Sequence, residues 1–146
     1  MKTSIPENWP HGNDLIADIL KNHKTIAVVG LSSNARRPSF GVAQYMQSAG
    51  YRIIPVNPNQ TKVLGEKSYP RLEDVPKSQR IEIVDIFRRP ENISPVVDSA
   101  IAIGAKVIWM QQGIENQRAA VKAHAAGLFV VEDACILIEH RRRHRR

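Results

Sequence analysis

Apolar runs rich in β-branched residues recur along this chain, and most of them are followed by a segment with helical spacing. The run Thr25–Gly30, TIAVVG, has the continuous apolar character of a strand buried on both faces of a parallel sheet. Strands that alternate with helices pair in parallel through right-handed crossovers. The sequence therefore predicts an α/β protein with a three-layer Rossmann-like fold and a five-stranded, mainly parallel sheet. The other four predicted strands are Tyr51–Val56, Ile81–Ile86, Lys106–Met110 and Leu128–Val131.

Helix boundaries are marked by proline at the start and glycine at the end. Asp14–His23 has one apolar face, and Pro38 suits the first position of the next helix, which Gly50 ends. The remaining helices are predicted from Ser94 to Gly104, from Asn116 to Ala126 and from Ala134 to about Arg142. Residues 60–76 lack periodicity and are predicted to be irregular.

A chain of 146 residues has the length of one domain. We divide it into an N-terminal segment at 1–13, a Rossmann-like domain at 14–140 and an arginine-rich tail at 141–146. Five arginines in the last six residues produce most of the net charge of +7, since the rest of the chain holds 16 basic and 14 acidic residues. We expect a solvated tail and no nucleic-acid partner.

Cysteine content and hydropathy indicate the compartment. The single cysteine, Cys135, excludes an intrachain disulfide and reads as a small buried residue. No apolar run approaches the roughly 18 residues of a membrane span, and Met1–Asn13 lacks the apolar region of a signal peptide. We expect a cytoplasmic protein with no membrane contact. No residue spacing is typical of a metal site or of a catalytic triad.

Positive charge is concentrated in the loops that follow the predicted strands. Such α/β sheets bind ligands outside the carboxyl ends of their strands. A helix N-terminus attracts anions, and arginine grips phosphate oxygens in pairs. The sequence therefore predicts a phosphate-bearing ligand at this edge. The loops carry Arg36, Arg37, Lys62, Arg88 and Arg89 against Glu115, Glu132 and Asp133.

The loop after the first predicted strand, GLSSNARRPS, is neither a GxGxxG turn nor a Walker A loop. An NAD site favours an acidic residue at the end of the second strand, where this chain has Asn57. The pattern argues against NAD and leaves open the 2′-phosphate of NADP or the 3′-phosphate of coenzyme A. Lys62 is a candidate to neutralise that phosphate.

Motifs at every predicted strand end resemble one known family. They are VVGLSSNARRPSFGVAQYM, IIPVNPN, LGEKSYPRLEDVP, VDIFRRPENI, AKVIWMQQGIEN and DACILIEH. Together they resemble the small stand-alone CoA-binding domain proteins, which are similar to the nucleotide-binding domain of the succinyl-CoA synthetase α subunit. The resemblance spans about Asp14 to His140 and implies coenzyme A as the cofactor.

The resemblance also implies a diphosphate site in the first loop. By this likeness Gly30, Leu31 and Ser32 would line the turn with backbone N–H groups. Arg37 and Ser39 would contact phosphate oxygens.

The later loops would hold the rest of the cofactor by the same likeness. Asn57 and Pro58 would border the adenosine, with Lys62 near the ribose phosphate. The ring of Phe87 would flank adenine, and Arg88 or Arg89 would face the diphosphate. The fourth loop would guide the pantetheine arm through Gln111, Gln112 and Gly113.

The resulting hypothesis is a module that binds coenzyme A or a short acyl-CoA without chemistry of its own. The alternative is an enzyme, either an NADP-dependent reductase or a CoA-transferring subunit that requires a partner chain. A protein partner or a homo-oligomer is compatible with both. We predict no catalytic residue and no metal ligand.

Overall fold

The computed structural model describes residues 1–5 and 14–144 and has the predicted alternation of strands and helices. The strands are β1 (Lys2–Ser4), β2 (Thr25–Val29), β3 (Arg52–Val56), β4 (Lys62–Val63), β5 (Glu66–Lys67), β6 (Ile83–Ile86), β7 (Val107–Met110) and β8 (Phe129–Glu132). The helices are α1 (Leu15–Asn22), α2 (Pro38–Ser48), α3 (Ile93–Ala102), α4 (Gln117–Ala125) and α5 (Ile136–Arg143). Most of the predicted N-terminal segment, and Arg145 and Arg146 of the tail, lie outside the described residues.

Six strands form the central sheet in the order β1-β8-β7-β6-β2-β3, and β4 and β5 form a separate hairpin. All neighbours in the central sheet are parallel except β1, which is antiparallel to β8. The chain first places β3 on one side of β2 and later places β6 on the other. Strand order therefore reverses between β2 and β6, where α/β sheets form a binding crevice.

The α/β class and the mainly parallel sheet are confirmed, but the sheet has six strands rather than five. The additional strand is β1, whose Lys2 lies opposite Glu132 in β8. A three-residue edge strand needs no apolar run, because one of its edges faces solvent. The polar sequence KTS therefore gave no strand signal.

Helices cover both faces of the sheet and complete the three layers. Helices α1, α2 and α5 pack on one face, and α3 and α4 pack on the other. Trp109 is fully buried as expected, and its indole N–H donates to the carbonyl of Ala134 at 2.8 Å. Within residues 1–5 and 14–144, no helix is long and apolar enough to cross a membrane.

The ends of the elements follow the sequence signals in most places. Pro38 opens α2 as its first residue, and the side chain of Asn116 caps α4. The stretch 60–76 contains the β4–β5 hairpin and a short 3₁₀ turn, which are too short to show periodicity.

The arginine-rich segment predicted as a tail begins inside helix α5, which ends one residue beyond the predicted end at about Arg142. Helix α5 continues to Arg143, whose guanidinium pairs with Asp14 at 2.9 Å and with Glu139 at 3.0 Å. Asp14 also caps α1, so this contact fastens the last helix to the first. The hydrogen bond from Arg143 holds the pKa of Asp14 below its ordinary value.

Two grooves at the carboxyl edge

The first feature of the site is a close approach between two neighbouring strand ends. Gly30 follows β2 with φ +90°, and a Cβ atom there would lie 2.3 Å from the carbonyl oxygen of Phe87, which follows β6. The amide of Phe87 also donates to the carbonyl of Val29 at 2.9 Å. Only glycine fits this position, because the φ is left-handed and the neighbouring backbone fills the space.

A polar groove of about 380 Å³ opens beside this contact, on the face covered by α2. It contains six of the predicted site residues, drawn from the ends of three strands and the start of α2. These six residues are Gly30, Ser32, Arg37, Ser39, Asn57 and Phe87. The structure thus brings together four of the residues predicted for the diphosphate, with Arg37 exposed at the N-cap of α2. These four are Gly30, Ser32, Arg37 and Ser39.

Hydrogen bonds inside the first loop fix its shape. The amide of Ser32 donates to the hydroxyl oxygen of Ser39 at 3.0 Å, and the amide of Gly30 donates to the carbonyl of Val56 at 2.8 Å. These two amides, which the family resemblance assigned to the ligand, are therefore already used. The amides of Ser33, in the loop, and of Ser39, at the start of α2, donate to no atom in the described part of the chain. The amide of Ser39 is therefore available to an anion at the helix start.

Asn57 ties two loops together beneath the polar groove. Its side chain is almost fully buried, and its Nδ2 donates to the carbonyl of Leu31 at 3.0 Å. Its Oδ1 accepts from the amide of Asn59 at 2.9 Å. Both the nitrogen and the oxygen of the side-chain amide are engaged. Asn57 therefore fixes the shape of the groove and has no unbonded polar atom directed to a ligand among these two.

An apolar groove of about 350 Å³ lies on the other face of the same strand ends, beside α3. Val29, Val56, Leu72 and Val96 provide its apolar lining. Two predicted site residues, Pro58 and Arg88, also line it, as do two charged residues that the sequence did not single out, Arg71 and Glu73. Pro70, Pro95 and Ser99 complete the lining.

Successive residues at each strand end face different grooves. At the end of β2, Val29 lines the apolar groove and Gly30 lines the polar one. After β3, Asn57 lines the polar groove and Pro58 the apolar one. After β6, Phe87 lines the polar groove and Arg88 the apolar one. This alternation follows from the two-residue period of extended chain. A ligand at this edge therefore meets polar chemistry on one face of the sheet and apolar chemistry on the other.

Six predicted site residues line neither groove, and Leu31, Lys62 and Arg89 are three of them. The side chain of Leu31 is fully buried in the core, so its contribution is limited to the backbone. Lys62 is exposed on the β4–β5 hairpin, and Arg89 is exposed at the start of a 3₁₀ turn.

The three residues predicted to guide a pantetheine arm point in different directions. Gln111 is buried, and its Nε2 donates to Asp85 at 2.5 Å. Gln112 lines a different cavity near the start of α5. The amide of Gly113 donates to Asp133 at 2.6 Å. The structure does not bring these residues to either groove.

Asp85 is a buried acidic residue that the sequence analysis did not single out. It lies in the middle of β6, opposite Val28 and Trp109, and its side chain is almost fully buried. Burial raises the pKa of this carboxyl to about 7, and the hydrogen bond from Gln111 opposes the rise. A single acid within the apolar run IVDI was the available signal.

Charge is divided between two halves of the carboxyl edge. The basic half, formed by the ends of β2, β3 and β6, presents Arg37 and Arg88 to the grooves. The acidic half, formed by the ends of β7 and β8 with the start of β1, holds three acids that are already paired. Glu115 pairs with Lys2 at 3.5 Å, Glu132 accepts from the amide of Asn116, and Asp133 accepts from that of Gly113.

The strand order and the grooves at the switch point define a doubly wound α/β fold of the Rossmann class. Residues 24–141 match the family described as the CoA binding domain, and the chain belongs to that family. The predicted resemblance is confirmed by this match. Within the described ranges, no group of three His, Cys, Asp or Glu side chains could hold a metal ion.

The relatives include both small proteins and parts of large ones. The chain is 41% identical over 125 residues to the uncharacterized protein YneT of Bacillus subtilis, covering 86% of this chain and 91% of that protein. A hypothetical protein of Pyrococcus horikoshii has a solved structure with a TM-score of 0.85 and 39% identity, covering 97% of this chain and 98% of that one. The ADP-forming acetate–CoA ligase II of Archaeoglobus fulgidus is 34% identical over 76 residues, which are 51% of this chain and 11% of the ligase.

Proposed function

We propose that the chain binds coenzyme A across the two grooves at the carboxyl edge of its sheet. The observation that carries this proposal is the pair of grooves, one polar and one apolar, at the switch point of a CoA-binding family member. A nucleotide that joins a charged diphosphate to a flat base needs both kinds of surface. Their volumes, about 380 and 350 Å³, fall within the roughly 300–1,000 Å³ of ligand pockets.

The diphosphate occupies the polar groove in this proposal. Arg37 is exposed at the start of α2 and can grip two phosphate oxygens with its planar fork. The available amide of Ser39 lies in the first turn of α2, at the positive end of the helix dipole. Ser32 and Ser39 hold each other in place and so keep the loop in the shape that an anion needs.

The adenosine occupies the apolar groove, where Val29, Val56 and Val96 contact the base. Arg88 lines the same groove and supplies positive charge for the ribose phosphate. Lys62 and Arg89 lie outside both grooves and would act only at their rim. Phe87, in the polar groove, would contact the ligand where it passes from one face of the sheet to the other.

We assign the grooves a binding role without chemistry. Within the described residues, neither groove is lined by a histidine or a cysteine. His23 is bonded to Glu82 at 2.8 Å, and His140 is bonded to Tyr45 at 2.8 Å, both away from the grooves. Coenzyme A itself or a short acyl-CoA is therefore the proposed ligand, and any transfer of the acyl group would belong to another chain.

Calorimetric titration with coenzyme A, dephospho-CoA, acetyl-CoA, NADP and ATP tests the ligand. We expect coenzyme A and acetyl-CoA to bind equally, because the acyl group lies at the far end of the thiol arm. Dephospho-CoA should bind at least fivefold more weakly, because it lacks the ribose phosphate. Tight binding of NADP with no response to coenzyme A would overturn the proposal and favour a reductase.

A matched pair of variants tests the polar groove. Arg37→Ala should weaken binding of coenzyme A about 10- to 150-fold, which corresponds to about 1.5–3 kcal/mol for a charge-assisted contact. Arg36 is exposed next to it but lines neither groove, so Arg36→Ala should change the affinity less than twofold. Equal losses in the two variants would mean that only net charge is sensed.

A further inference from the structure

A third groove lies at the opposite, amino edge of the sheet. Its volume of about 810 Å³ is more than twice that of either groove at the carboxyl edge. The starts of several strands and the loop before β6 form its walls, and the end of α3 closes it through Ile103 and Gly104. The nucleotide proposed above does not reach this surface, because the two edges lie at opposite ends of the strands.

Four cationic side chains from three segments line this groove. Arg52 starts β3, Lys77 and Arg80 belong to the loop before β6, and Lys106 precedes β7. All four are exposed. Within the described part of the chain, no ion pair or hydrogen bond engages the charged ends of Lys77, Arg80 and Lys106. Arg52 is bonded only to the neutral side chain of Gln79.

Among the described residues, Glu82 is the one acid that lines the groove, and it is already engaged. Its carboxylate receives the ring nitrogen of His23 at 2.8 Å and the amide of Lys24 at 3.2 Å. The negative end of the α3 dipole also lies here, but a helix end carries only about half an elementary charge. Neither source balances four cations, so the groove has an excess of positive charge.

The backbone at Arg80 is unusual for its residue type. Arg80 has φ +52° and ψ +63°, the left-handed conformation that side chains other than Gly, Asn and Asp rarely adopt. Non-glycine residues in such conformations cluster at functional sites, where the surrounding structure compensates for the strain. A charged side chain held in this way at the wall of a positive groove points to a role for that charge.

We propose that the amino-edge groove is a second anion site, which binds a small multiply charged phosphate compound. Concave shape favours a small ligand over a flat polymer surface, and cations from three segments can contact several phosphate groups at once. Among the described residues no aromatic side chain lines the groove, so the recognised group is the phosphate chain rather than a base. Binding at the two edges of the sheet is independent.

Calorimetric titration of the full chain with inorganic tripolyphosphate at low salt tests this site. We expect the double variant Lys77→Gln, Arg80→Asn to lose at least tenfold in affinity, with asparagine chosen because it tolerates the left-handed backbone. Lys106→Gln, on another segment, should lose at least threefold. Arg118→Gln removes an exposed cation of α4 outside the groove and should change affinity less than twofold.

Two further arms separate this site from the carboxyl edge and from a polymer. Saturation with coenzyme A, which fills the phosphate-binding polar groove at the carboxyl edge, should leave tripolyphosphate binding within twofold. Loss of binding under this saturation, a loss in Arg118→Gln equal to that of the groove variants, or no measurable binding at all would overturn the proposal. A 20-nucleotide single strand that binds more than 100-fold tighter and takes up several copies of the chain would also overturn it, because it would identify the surface as a nucleic-acid face.

Discussion

The basic and acidic halves of the carboxyl edge are built from the same kind of strand end, but they use their polar groups differently. In the acidic half, Glu132 and Asp133 accept backbone amides of the neighbouring loop. In the basic half, Arg37 and Arg88 face open grooves. Paired groups stabilise the fold, whereas groups left without a partner at a concave surface are available to a ligand. Each half therefore predicts a different response to mutation.

Asp85 links the two halves, because it lies in β6 of the basic half and accepts a hydrogen bond from Gln111 at the end of β7. Its ionisation is expected to make the stability of the fold depend on pH. Its folded-state pKa of about 7 exceeds the ordinary 3.8. From about pH 4 to 7 the unfolded chain has lost this proton while the folded chain keeps it, so stability falls as pH rises, by about 4 kcal/mol in total.

Urea unfolding of the wild type and Asp85→Asn at pH 5 and pH 8 measures this effect. The variant keeps an acceptor for Gln111 but has no proton to lose, so we expect it to remove most of the decline. Glu91→Gln, at an exposed site, should keep the wild-type slope. A wild type that is equally stable at both values of pH would contradict the assigned pKa.

Gly30→Ala tests the close approach in the basic half. The new Cβ would clash with the carbonyl of Phe87, and alanine would be strained by the left-handed backbone at this position. We expect a loss of about 3 kcal/mol in unfolding free energy. Gly41→Ala is the matched control, because it lies inside α2 with open space around it. That change should stabilise the chain by about 0.5–1 kcal/mol. Equal effects of the two substitutions would show that the approach is not tight.

Arg88→Ala and Arg89→Ala compare two adjacent arginines, of which Arg88 lines the apolar groove and Arg89 is exposed outside both grooves. We expect Arg88→Ala to reduce affinity for coenzyme A about 3- to 10-fold, or about 1 kcal/mol, with little change in stability. Arg89→Ala should change affinity less than twofold. The opposite ranking by calorimetry would move the ribose phosphate out of the apolar groove.

Asp133→Ala tests the acidic half. We expect a loss of about 1 kcal/mol in stability, because Gly113 loses its hydrogen-bond acceptor and alanine is strained at φ +54°. Asp133→Asn keeps an acceptor and tolerates this backbone, so it should stay close to wild type. Both variants should bind coenzyme A normally. A tenfold loss of affinity in either would extend the ligand site into the acidic half.

The sequence predicts the strands and helices well because burial on two faces leaves a local signature. TIAVVG and the proline that opens α2 each specify an element without reference to distant residues. The same information locates Gly30, Arg37 and Asn57 at one edge, since parallel strands end together. The direction of a loop side chain, however, depends on residues that are distant in the sequence.

Gln111 illustrates this limit. It was predicted to face the ligand, but it turns inward because a buried carboxyl 26 positions earlier needs a donor. Strand β1 was missed for a related reason, since its pairing depends on the free edge of β8 rather than on its own residues.

The division of neighbouring residues between two grooves has a consequence for altering this edge by design. A single-residue insertion just before Val29, Val56 or Phe87 would shift the frame and exchange which side chains reach each face. The hydrophobic lining would then confront the charged part of the cargo, although every original side chain would still be present. Spacing along the chain, as much as residue type, thus encodes what this edge can hold.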